Sequence, residues 1–163
     1  MKLANAALTI TLMIAAPATA QPLADMGGTW RGSGWARQTP DGPQETIRCR
    51  ITNTYDTATL TLSVKGQCAV PGRKLTLSGT LVGQDGSEKI TGRWSNPDGL
   101  GRTKVSGVQR DGLVAFTFRA KDPATGDDLA QNIVWRLFGD TLRLRATDRA
   151  DPAIKMSEIE FTR

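Results

Sequence analysis

Apolar side chains recur at every second position along most of this chain, and short turns cut the runs into segments of strand length. A period of two sends alternate side chains to opposite faces of an extended backbone, so one face can be buried and the other solvated. Ile47, Cys49 and Ile51 alternate with Thr46, Arg48, Arg50 and Thr52 across Glu45–Thr52. Leu60, Leu62 and Val64 alternate with Thr59, Thr61 and Ser63 across Thr57–Val64. The rhythm continues through Leu75, Leu77, Gly79 and Leu81, then Ile90, Gly92 and Trp94. It returns in Val114, Phe116 and Phe118, in Ile133, Trp135 and Leu137, in Leu142 and Leu144, and in Ile159 and Phe161. Within Thr103–Gln109, Val105 and Val108 fall on opposite parities, which predicts a bulge or a slip.

The breaks carry turn chemistry. They are Pro40-Asp41-Gly42-Pro43, Asn53–Asp56, Pro71-Gly72, Gln84-Asp85-Gly86, Asn96-Pro97-Asp98-Gly99, Arg110-Asp111-Gly112, Asp122–Asp128, Gly139-Asp140 and Asp148–Pro152. Such short connections predict an all-β, up-and-down antiparallel meander of about 8–10 strands. A meander of that length leaves two exposed edges unless it closes, so a barrel is expected ahead of a β-sandwich.

Met1-Lys2, the apolar run Ala6–Ala16 and the small-residue exit Ala18-Thr19-Ala20 have the layout of a secretory signal peptide, with cleavage expected after Ala20. The apolar run is short for a membrane span. Residues 1–20 are therefore read as a signal peptide and 21–163 as a single β-barrel domain, exported to the periplasm or secreted. The leader takes Lys2 and no acid, so the formal charge falls from +5 to +4. That charge is too small and too scattered for a nucleic-acid binder. Cys49 and Cys68 are the only cysteines; both lie on inward parities, and export places them where disulfides persist. With no Cys-x-x-Cys and no histidine, a structural disulfide is expected rather than a redox pair.

The first strand places Trp30, Gly32, Gly34 and Ala36 on one parity, a large ring that closes one end followed by small inward residues. Gly28-Thr29-Trp30-Arg31-Gly32-Ser33-Gly34, with Arg48-Cys49-Arg50 and Cys68, resembles an uncharacterised group of small secreted bacterial β-barrel proteins. Its Gly-x-Trp is also similar to lipocalin-like folds, and the Gly-x-Trp-x-Gly-x-Gly spacing resembles the nitrobindin type. The resemblance implies a lipocalin-like barrel. Nitrobindins hold haem through a histidine, which this chain lacks, so no cofactor is expected. A further similarity is to secreted bacterial metalloprotease inhibitors, whose inhibitory tail corresponds only loosely to Gln21–Met26, so no inhibitory residue is assigned.

The absence of histidine excludes Ser-His-Asp and Cys-His catalysis and His-bearing zinc sites. No Gly-x-Ser-x-Gly or Ser-x-x-Lys motif is present, and no enzyme is expected. Glu158 and Glu160 share a parity but face outward, where Arg143 and Arg145 can pair with them. Asp122, Asp127 and Asp128 match no calcium-loop spacing and read as turn residues.

Two binding modes remain. Trp30, Leu62, Trp94, Phe116, Phe118 and Trp135 face inward and would line a pocket for a small apolar or amphipathic ligand. Inward Gly32, Gly34, Gly79 and Gly92 leave volume that Trp30, Trp94 and Trp135 either fill or leave open to it. Alternatively, Arg31, Arg37, Arg48 and Arg50 would neighbour one another around outward Trp35 and serve an anionic envelope component or protein, with Glu45 diluting the patch. A purely structural, filled barrel is the third expectation.

Overall fold

A computed structural model describes residues 21–95, 101–121 and 126–163. The expected signal peptide and the expected Asn96–Gly99 turn lie outside the described residues, as does Asp122 of the aspartate-bearing loop. The chain runs through α1 (Pro22–Asp25), β1 (Gly28–Ala36), β2 (Glu45–Asp56), β3 (Thr61–Val70), β4 (Arg73–Gln84) and β5 (Ser87–Ser95). It continues with β6 (Arg102–Arg110), β7 (Leu113–Lys121), β8 (Asp128–Phe138), β9 (Thr141–Asp148) and β10 (Lys155–Thr162). Each strand pairs antiparallel with its sequence neighbours, and β1 pairs with β10 to close the barrel. Closure leaves no strand edge to template aggregation.

Turn residues set the hairpins. Arg110 and Leu113 pair across Asp111-Gly112, both at positive φ (48° and 70°), as a two-residue type I′ turn requires. The β2–β3 connection falls later than the sequence suggests. β2 runs on through Asn53–Asp56, and the turn occupies 57–60, where the Asp56 carboxylate accepts from the backbone of Ala58 and Thr59. Leu60 therefore sits in the turn with φ 51°, not on the inward face of a strand. β6 carries no register shift against β5 or β7: Val105 faces in and Val108 faces out. The irregularities fall instead between Gly83 and Gln84 and between Lys155 and Ser157.

One buried layer lines the barrel, including Trp30, Ile51, Leu62, Leu81, Trp135, Leu142 and Phe161, each at most 1% exposed. The glycines inside it open no space. A Cβ on Gly79 would collide with the Trp94 ring and one on Gly32 with Phe161. At Gly34 and Gly92 the carbonyls of Glu158 and Thr80 stand in the way, so these glycines let strands approach and bend.

The single turn α1 caps one end, an element too short to show a helical period in sequence. Leu23 and Met26 point into the barrel, fully buried. The Met26 carbonyl accepts from Trp30 Nε1 at 3.0 Å and from Asn53 Nδ2 at 2.9 Å. Arg163 covers the same end, its guanidinium 4.5 Å from the Trp30 ring centroid while it donates to the Gly27 carbonyl and to Asp140. Residues 22–26 are thus anchored inward, unlike a protruding inhibitory tail.

Cys49 and Cys68 stand directly opposite in the β2–β3 register and form a disulfide, with Cα atoms 4.0 Å apart. The covalent loop is short, so its constraint on the unfolded chain is moderate. Replacing both cysteines with alanine should lower unfolding free energy by about 2–4 kcal/mol in urea titration; an unchanged midpoint would show that the bridge adds nothing to the strand pairing.

Candidate functional site

The six inward residues assigned to a pocket converge in the barrel but are packed against one another. Trp94 lies 5.1 Å from Phe116 and meets Trp135 edge-on at 5.8 Å between ring centroids. Trp30, Leu62, Phe118 and Trp135 are likewise buried, at 0–2% exposure. Among the described residues three buried polar atoms have no hydrogen-bond partner: Trp135 Nε1, Asn53 Oδ1 and Arg37 Nε.

The outer face is arranged differently. Alternation along β1 and β2 sends Arg31, Ser33 and Trp35 outward on one strand and Arg48 and Arg50 outward on the next. Register makes Arg31 the direct neighbour of Arg50, and Ser33 the neighbour of Arg48. On β3, Gln67 stands opposite Arg50 and Ala69 opposite Arg48, and Lys74 on β4 lies opposite Ala69. On the other flank β10 sets Glu160 beside Ser33 and Thr162 beside Arg31. These side chains, with Gly32, Cys49 and Cys68, line a shallow, open groove of about 690 Å³ on the outer wall. The disulfide therefore lies beneath the groove, tying together the two strands that carry Arg48, Arg50 and Gln67.

Charge pairing separates this groove from its surroundings. Glu160 binds Arg143 at 2.8 Å and Glu158 binds Arg145 at 3.0 Å, the outward pairing expected from sequence. Glu45 does not dilute the patch: it pairs with Arg73 at 2.6 Å. Arg31, Arg48, Arg50 and Lys74 have no carboxylate within ion-pair distance among the described residues. Like charges on adjacent strands repel, and an anion seated between them relieves that repulsion.

The expected patch is only partly assembled. Arg31, Arg48 and Arg50 line the groove, whereas Arg37 lies beyond the end of β1. Arg37 donates to the Pro40 carbonyl at 2.8 Å and lies 5.6 Å from the Trp35 ring centroid, so these two residues form a separate unit. Sequence reasoning missed Gln67, Lys74 and Thr162. Their outward parity was readable, but their neighbours follow from register. Among the described residues, no group of three or more Asp, Glu, His or Cys is placed to hold a metal; Asp128 pairs with Lys121 at 3.1 Å.

No family model and no curated protein matches this chain. The described residues form a closed ten-stranded antiparallel barrel with one disulfide.

The bordering acids give a pH signature. The Arg145 hydrogen bond holds the Glu158 carboxyl below its ordinary range, with burial opposing it. A depressed carboxylate contributes stability that is full above the unfolded-chain value, about 4.3 for glutamate, and is lost as pH falls through the lower folded value. Glu158→Gln should remove that component, a contribution of about 1 kcal/mol or less for an exposed pair. Urea titrations from pH 7 down through the acid range should converge for the two proteins at the acid end; parallel curves would contradict the assignment.

Proposed function

We propose that this protein is an exported binding protein, not an enzyme, and that its basic outer groove takes an anionic ligand. One observation supports this most: four cationic side chains surround one groove without carboxylate partners among the described residues, while the acids bordering it are engaged elsewhere. The disulfide suits an oxidising compartment outside the cytoplasm, as does the leader-like start of the chain. Among the described residues no helix is long and apolar enough to cross a membrane.

Calorimetric titration with tripolyphosphate tests the reading. Arg48→Glu/Arg50→Glu should weaken binding at least tenfold. Arg93→Glu/Lys104→Glu, the same charge change on the exposed face of β5 and β6, should leave it within about twofold because exposed charges beyond a Debye length are screened. Equal losses in both proteins would reduce the effect to net charge, and absence of binding to the parent protein would remove the proposal.

A second reading, a small ligand inside the barrel, is supported by the buried Trp135 Nε1 and Asn53 Oδ1. An unpaired buried donor or acceptor costs about 1–3 kcal/mol, which a ligand hydroxyl or amide would offset. Native mass spectrometry of the protein from its producing cells should then show added mass that vanishes on denaturation. A bare mass would count against it.

A further inference from the structure

We infer that the ligand of the outer groove is a linear anionic glycan, an inference that rests on the anion-binding reading above. Three features of the groove distinguish this occupant from other anions.

The first is the spread of the cations. Arg31 stands on β1, Arg48 and Arg50 on β2, and Lys74 on β4. With strands about 4.8 Å apart, the set spans roughly 14 Å of barrel wall. One tetrahedral anion cannot engage all of it, whereas a chain bearing sulfate or carboxylate groups at intervals can.

The second is the neutral polar surface between the charges. Ser33, Gln67 and Thr162 line the same groove, and their side chains make no hydrogen bond among the described residues. A hydroxyl and an amide that both donate and accept suit sugar hydroxyls, which a bare polyphosphate does not offer.

The third is the lack of aromatic anchors in the groove lining. The groove is lined by no aromatic ring, so it has no platform for stacked bases. Among the described residues the exposed large hydrophobic is Phe138, at the β8–β9 turn and away from the groove. A lipid surface calls for apolar side chains beside the cations, and a protein partner for an apolar patch at the centre of the contact. The groove lining offers Ala69 as its one exposed apolar side chain, and Trp35, outward on the same strand as Arg31 and Ser33, lies beyond that lining.

The test uses a sulfated hexasaccharide, tripolyphosphate and phosphatidylglycerol vesicles, titrated at equal ionic strength. The hexasaccharide should bind at least tenfold more tightly than tripolyphosphate. Its affinity should fall with salt with a log–log slope of about three, as expected when a linear polyanion releases counterions to four cations. Gln67→Ala should weaken the hexasaccharide threefold or more and leave tripolyphosphate unchanged, a readout that loss of fold would not produce. Equal affinity for both soluble anions would overturn the glycan assignment while leaving an anion site standing. Tighter binding to vesicles would overturn it in favour of a lipid surface. Failure of all three would remove the inference and the reading beneath it together.

Discussion

The pairing of β1 with β10 is the contact on which the rest of the molecule depends. Without it the ten-stranded meander has two open edges and Trp30 closes nothing. With it, Gly34 is brought against the backbone of Glu158 and Gly32 against the ring of Phe161, contacts that tolerate no side chain at either glycine. The same pairing sets Glu160 and Thr162 beside Arg31 and Ser33, so the outer groove acquires its second wall through closure. Interior and exterior are thus built by one event, the inward parity sealing the core and the outward parity assembling the charges.

The two faces then take different roles. Inside, large rings meet glycines: Trp94 fills the place of a Gly79 side chain and touches Phe116 and Trp135. Close packing of this kind gives rigidity. Outside, the wall of β1 to β4 gathers Arg31, Arg48, Arg50 and Lys74, which have no carboxylate partner among the described residues. The disulfide connects the two, since its sulfurs belong to the core layer while its strands carry the arginines. A rigid wall would lower the cost of ordering long cationic side chains around a ligand, which is how the packed core would support the proposed outer site.

Much of the fold was legible because a strand needs only a period of two, and this chain keeps it through Ile47–Ile51, Val114–Phe118 and Ile159–Phe161. The Cys49–Cys68 pairing and the outward Arg143–Glu160 and Arg145–Glu158 pairs followed from parity on adjoining strands. Parity does not give register or strand ends, and the misreadings lie there. Leu60 keeps the apolar rhythm yet sits in a turn, because β2 extends past Asn53. Arg37 keeps the outward parity yet falls beyond β1 and turns to Pro40 and Trp35. Lys74 was invisible as a site residue because its place beside Ala69 and Arg48 is a matter of register across three strands. Whether the inward glycines left empty volume stayed open in the sequence, because it does not say which neighbouring ring or carbonyl fills them. A one-turn plug such as Pro22–Asp25 is shorter than any helical period and can be recognised only by the barrel end it covers.

The most direct test of the account is where a ligand perturbs the protein. In a nitrogen-15 labelled sample titrated with the sulfated hexasaccharide, amide signals of residues 31–33, 48–50 and 67–69 should shift. The indole signals of Trp94 and Trp135 should stay in place. Shifts at those indoles with a silent outer wall would contradict the account and move the binding site inside the barrel.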